Sequence, residues 1–202
     1  MPDSRADILA RIDAITRPAA PSVPRSYRRD RDLGDLVELA AERIADYRAT
    51  VHRAPASELV AQLARILTDR VAHHMLAPAG LPVEWRVPGV TWLVDEPPLS
   101  ITELDRAGGV LTGCALVIAE TGTIVLDAGP DQGRRALTLV PDYHLCVVRA
   151  DQIVGTVPAA IARLDPARPT TFISGPSATS DIEFNRVEGV HGPRTLDVVI
   201  VT

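Results

Sequence analysis

Residues 115–126 read ALVIAETGTIVL: two short apolar runs, joined by the polar and small residues Glu120, Thr121, Gly122 and Thr123. Each run is too short for a helix and is bounded by turn chemistry, so both read as strands with two buried faces. The same texture continues outward from this stretch. Candidate strands fall at Thr91–Val94, Ala115–Ala119, Thr123–Leu126, His144–Val148, Thr171–Ser174 and Val198–Val201, separated by turn residues and brief helical patterns. Ser100 with Glu103 is a capping box that opens a short helix, which Gly108-Gly109 closes. Asp151 is expected to cap a further helix over 151–164, with Pro158 either delaying its start or kinking it. Strands alternating with helices after a helical start predict an α/β fold, a three-layer α/β/α sandwich around a mainly parallel sheet.

Upstream of Pro82 the chain reads as helices. Ile8, Ile12 and Ile15 repeat at helical spacing before Pro18, Pro21 and Pro24 interrupt the pattern. Leu33, Leu36, Val37, Ala40, Ala41 and Ile44 form one face of a second helix. A third is expected after a Ser57 cap, with Leu59, Val60, Leu63, Ile66, Leu67 and Val71 as its buried stripe. Adjacent His73 and His74 extend this helix on different faces, so they do not form an i,i+4 metal pair. Residues 1–31 are accordingly read as an N-terminal helical arm with a Pro/Arg linker, and residues 32–202 as a single α/β domain.

Composition excludes several chemistries. All 21 basic residues are arginine, so neither a Schiff-base lysine nor a lysine-containing phosphate loop is available. A formal net charge of −5 opposes broad nucleic-acid binding, although Arg25, Arg28, Arg29 and Arg31 cluster beside Tyr27 as a solvated loop or a local anion or partner contact. Cys114 and Cys146 stand alone in apolar runs and suit buried thiols rather than iron–sulfur ligands. No apolar run reaches the ~18 residues of a membrane helix. A charged amphipathic start without an apolar signal region gives the expectation of a cytoplasmic protein.

Three turns carry the candidate chemistry. The 119–123 turn places Glu120 and Thr121 either at a ligand-binding strand end shaped by Gly122 or in an ordinary hairpin with a solvated glutamate. The segment 173–183, ISGPSATSDIE, runs from a strand into hydroxyls and small residues that suit an anion; Asp181 and Glu183 in it are helix caps, cation ligands or bases. Finally, His191 stands between Gly189 and Gly192 as a titratable group or as a histidine satisfied within its turn. Arg134, after Gly133, is an anion ligand or a solvated arginine.

Residues 118–126, Gly133-Arg134, Pro141 to Val148, Ile173 to Ser177, Ser180 to Glu183 and Gly189 to Pro193 together resemble the LUD domain of the lactate-utilisation protein C family. The likeness is strongest from Gly109 to Thr202. It implies a fold similar to that of sugar-phosphate isomerases and CoA transferases. It also implies a part in bacterial oxidation of L-lactate to pyruvate, alongside partner proteins that carry the iron–sulfur clusters, with no cofactor held by this chain. A small anionic ligand would then meet Glu120 and His191 as catalytic candidates and Thr121, Gly122, Thr123, Arg134, Ser174, Gly175, Ser177, Thr179, Asp181 and Glu183 as binding candidates. Two other readings stay open: a stand-alone enzyme that uses Glu120 on a phosphorylated or CoA-linked molecule, and a non-catalytic interaction module.

Overall fold

The computed structural model describes residues 4–15, 31–176, 178–179, 187–188 and 192–202. In chain order its elements are α1 (Ser4–Asp13), α2 (Leu36–Asp46), β1 (Thr50–Ala54), α3 (Leu59–Asp69), β2 (His74–Ala77), β3 (Thr91–Val94), α4 (Ile101–Arg106), β4 (Gly109–Thr112), β5 (Leu116–Ile118), β6 (Thr123–Leu126), β7 (Tyr143–Arg149), β8 (Ile153–Val154), α5 (Val157–Arg163), β9 (Thr171–Ile173), β10 (Ala178–Thr179), β11 (Val187–Glu188) and β12 (Thr195–Val201). Six strands form a sheet in the order β1-β12-β7-β4-β2-β3, every neighbouring pair parallel. A second sheet, β8-β5-β6-β9, is mostly antiparallel, with only β5 and β8 running together.

Alternation along the central strands assigns the two faces of the large sheet. Leu145, Val147, Val199 and Val201 point to one face and pack with Leu59, Leu63, Ile66 and Leu67 of α3. Cys146, Val148, Val198 and Ile200 point to the other, where they meet Ala40, Ala41 and Ile44 of α2 and Val117 and Ile124 of the small sheet. Nearby, Leu76 and Val110 pack on Leu104 of α4. The far side of the small sheet is closed by Ala160 of α5 over Leu116, Ile118 and Val125. The fold is thus α/β with helices on both sides of a mainly parallel sheet. Helix α1 buries none of its residues, and Ile8, Leu9 and Ile12 are all more than 40% exposed.

Local chemistry explains where several elements depart from the sequence reading. Helix α2 starts at Leu36 rather than Leu33 because the Asp35 carboxylate accepts hydrogen bonds from the Val37 and Glu38 N–H groups. Ser57 lies inside a single 3₁₀ turn and does not cap α3. The end of α3 is a Schellman turn: the Ala72 N–H donates to Leu67 O, the Val71 N–H donates to Thr68 O, and Val71 takes φ +53. Val71 is consequently turned out to solvent, and His74 opens β2 rather than extending a helix. Strands β1 and β2 both fall in the region upstream of Pro82 that reads as helical. Beyond β7, Asp151 sits in a 3₁₀ turn that leads into β8, and the capping residue of α5 is Thr156, whose hydroxyl accepts from the Ala159 N–H, with Pro158 in the first turn.

Candidate functional site

The segment 119–122 is the turn of an antiparallel hairpin, with Ile118 opposite Thr123. Gly122 has φ +62, and a Cβ there would come within 2.5 Å of the Arg43 carbonyl carbon at the end of α2. Gly175, at φ +83, would meet the Tyr47 carbonyl oxygen at the same distance. Both glycines therefore let two loops press against the backbone at the C-terminal end of α2. Because β9 pairs with β6, this packing also brings two of the three candidate turns together. The Thr121 and Thr123 hydroxyls are 2.8 Å apart, and the Thr123 hydroxyl is 2.9 Å from that of Ser174.

Glu120 stands beside this hydroxyl chain with both carboxylate oxygens engaged. Oε1 accepts from the Val157 N–H at 3.0 Å, and Oε2 pairs with Arg31 Nη2 at 3.0 Å. Its own N–H donates to Gly155 O. Glu120 thus holds the first turn of α5 and the end of the Pro/Arg linker to the hairpin. Ser177, Asp181, Glu183 and His191 lie outside the described residues, and Thr179 is described only as a residue of β10.

Arg134 belongs to a different constellation. Its Nε and Nη2 form a fork on Asp95 at 2.8 and 3.0 Å, and Nη2 also donates to Leu99 O. Burial pushes the Asp95 carboxyl up, but the Arg134 fork and the Leu99 N–H outweigh it, so the group stays below the usual carboxylate range. This clamp ties the end of β3 to the turn after Gly133.

At the opposite end of the hairpin from Glu120 lies a cleft of ≈ 450 Å³ whose walls include Asp127, Asp131, Gln132, Arg149, Arg163 and Arg168. It opens at the carboxyl ends of β4 and β7, where open parallel sheets bind ligands. Neighbouring strands β2 and β4 connect onward to opposite sides, β2 to β3 and β4 toward β7, which puts the switch point of the sheet between β2 and β4, beside the cleft. The loop 127–133 covers the switch point: the Gly80 N–H donates to Pro130 O and the Gly113 N–H to Asp131 O, both at 3.0 Å. Two glutamines fix the walls. Gln132 Oε1 accepts from the Asp127 N–H at 2.7 Å, and Gln152 bridges the Cys114 carbonyl at 2.6 Å and the Arg149 N–H at 2.9 Å.

Other ionisable groups are structural. Asp197, fully buried, accepts from Arg70 Nε and Nη2 and from the Tyr143 hydroxyl at 2.8–2.9 Å at the amino ends of β7 and β12. Burial, with the Asp197 charge beside it, raises the Tyr143 phenol far above its ordinary value. His144 is buried with Nε2 2.8 Å from the Thr112 hydroxyl, and desolvation lowers its pKa to about 4. The Cys146 thiol alongside Cys114, together with burial, holds Cys114 well above the ordinary thiol range, so it offers no thiolate at neutral pH. Among the described residues no group of three or more His, Cys, Asp or Glu side chains is placed to hold a metal ion. Also among them, no helix is long and apolar enough to cross a membrane.

Residues 100–201 match the model of the LUD domain. The chain is 55% identical over 171 residues to a Deinococcus radiodurans protein named Lactate utilization protein C, a match that covers 83% of this chain and 80% of that protein. The chain belongs to the LUD domain family. A Bacillus subtilis protein of the same name is 32% identical over 119 residues, 55% of this chain and 49% of the relative, so the chain aligns with about half the length of this more distant LUD protein. Among solved structures, the crystal structure of a DUF162 family protein from Deinococcus radiodurans is similar with a TM-score of 0.71 and 47% sequence identity, covering 83% of this chain and 96% of that one. The LUD domain match spans α4 to β12 and therefore includes the hairpin, the hydroxyl chain and every lining residue of the cleft.

Proposed function

We propose that this chain serves L-lactate utilisation as a non-cluster subunit that binds a small carboxylate anion and works beside iron–sulfur proteins. One observation carries the reading: 55% identity across 83% of the chain to a protein named for lactate utilisation. The geometry supports a binding role over covalent chemistry at Glu120. A glutamate nucleophile needs a free oxygen in line with its substrate, whereas both oxygens of Glu120 are engaged by Val157 and Arg31. Glu120 is accordingly read as a positioning residue for the hairpin and α5. The arginine-bearing cleft at the carboxyl edge of the sheet supplies a place for an anion.

Coexpression with the iron–sulfur proteins of a lactate-oxidising system, followed by affinity purification through a tag on this chain, tests the partner assignment. The expected result is copurification of a brown, cluster-containing complex at fixed stoichiometry. Recovery of the tagged chain alone under anaerobic, low-salt conditions would remove that assignment.

A further inference from the structure

The cleft at the carboxyl ends of β4 and β7 contains opposite charges of unequal status. Asp127 is fully used: Arg168 Nη1 pairs with its carboxylate at 3.2 Å, and Arg168 Nε donates to its carbonyl oxygen at 3.0 Å. Arg149 and Asp151 form a loose pair at 3.4 Å with both side chains more than half exposed, a contact that solvent and salt largely screen. Two charges face the cleft without an ionic partner among the described residues. Arg163, at the end of α5, has none, and Asp131 accepts only a 3.3 Å hydrogen bond from the Gln132 amide. An unpaired cation and an unpaired carboxylate across one cleft are complementary to a ligand with an acid group at one end and hydrogen-bond donors at the other.

Three further observations narrow the class. A volume of ≈ 450 Å³ equals about fifteen water volumes, so a six-heavy-atom acid such as lactate would leave most of the cleft to solvent. Among the described residues no aromatic side chain lines it, so none of them offers a nucleobase a surface to stack on. The walls are also held in place before any ligand arrives: both glutamines are tied to backbone groups, and Ala128 in the covering loop takes φ +56, a left-handed conformation that an alanine adopts only under constraint from its surroundings.

We infer that this cleft is a binding site for a hydroxyl-bearing carboxylate longer than lactate, a sugar-acid-like molecule whose carboxylate meets Arg163 and whose hydroxyls donate to Asp131. The inference rests on the reading of the chain as an anion-binding subunit and adds to it a location and a ligand class.

Calorimetric titration of the full-length protein with D-gluconate, and in parallel with L-lactate and acetate, tests it. The expected result is saturable binding of gluconate, weaker binding of the two smaller acids, and a loss of about tenfold or more in gluconate affinity in both Arg163→Gln and Asp131→Asn, with unchanged circular dichroism. Arg163 is exposed near the end of a short helix, so its variant keeps the test decisive even where Asp131→Asn disturbs the covering loop. Gluconate binding with unaltered affinity in Arg163→Gln would overturn the cleft and leave the anion-binding reading intact. Equal affinity for lactate and gluconate would overturn the ligand class. Absence of binding by all three acids would overturn the site and the reading together.

Discussion

His144 lies at the centre of the sheet on β7, 1% exposed, with one ring nitrogen on the Thr112 hydroxyl and, among the described residues, no charge beside it to stabilise an imidazolium. Desolvation lowers its pKa from 6.5 to about 4. The unfolded chain therefore takes up this proton first as pH falls, and the unfolded state binds more protons throughout the interval between the two values. The contribution is fully present above pH about 6.5, declines as pH falls toward about 4, and is constant below that. A gap of about 2.5 in pKa corresponds to about 3 kcal/mol, of which about 2 kcal/mol is already lost at pH 5. Urea unfolding at pH 8, 6 and 5, compared between the wild type and His144→Gln, isolates this group from the other histidines and from carboxylates that titrate lower. At pH 8 the glutamine variant is less stable because it repacks a buried site. By pH 5 the difference between the two proteins narrows by about 2 kcal/mol. Curves that run parallel, within about 0.5 kcal/mol across the range, would refute the buried neutral imidazole.

Other consequences follow from single contacts. Gly122→Ala places a Cβ against the Arg43 backbone and destabilises by about 2–3 kcal/mol in denaturant melts, whereas Gly34→Ala, at a similar φ of +68 with nothing within 4 Å, loses only about 1 kcal/mol. Arg134→Ala strands the Asp95 carboxylate and lowers stability by about 3 kcal/mol; Arg134→Lys recovers only part of this because an ammonium cannot form the fork. Val71→Gly relieves a β-branched residue held at φ +53 in the Schellman turn and raises stability by about 0.5–1 kcal/mol, measured as a higher urea midpoint at unchanged slope.

How far this architecture can be read from sequence differs from element to element. β3 and β6 begin and end where their apolar runs do: β6 is an interior strand buried along its whole length and needs apolar residues at every position, whereas β3 is a partly exposed edge strand marked off by the turn residues around it. β1, TVHRA, carries His52 and Arg53 because it is an edge strand, and its polar texture hides it between two amphipathic helices. β4 begins at Gly109, a glycine that also reads as a helix stop; its second role, admitting the Tyr143 ring and carbonyl against the backbone, depends on pairing with β7 some 30 residues away. The candidate site divides in the same way. Thr121, Thr123 and Ser174 converge because β9 returns to pair with β6 after some 45 residues of chain, and the glycines beside them serve contact with α2. The cleft draws Asp131, Arg149 and the pair Arg163 and Arg168 from three separate segments, none with a local signature, and only the folded chain gathers them.

Growth on L-lactate as sole carbon source tests the functional account most directly, in a host whose own copy of this protein is deleted and then replaced. The account predicts that the deletion abolishes growth on L-lactate but not on pyruvate. It further predicts that the wild-type chain restores growth on L-lactate, and that a Gly122→Ala chain restores it only at low temperature, where the weakened hairpin contact still folds. Undiminished growth of the deletion strain on L-lactate, with the absence of the protein verified by immunoblot, would contradict it.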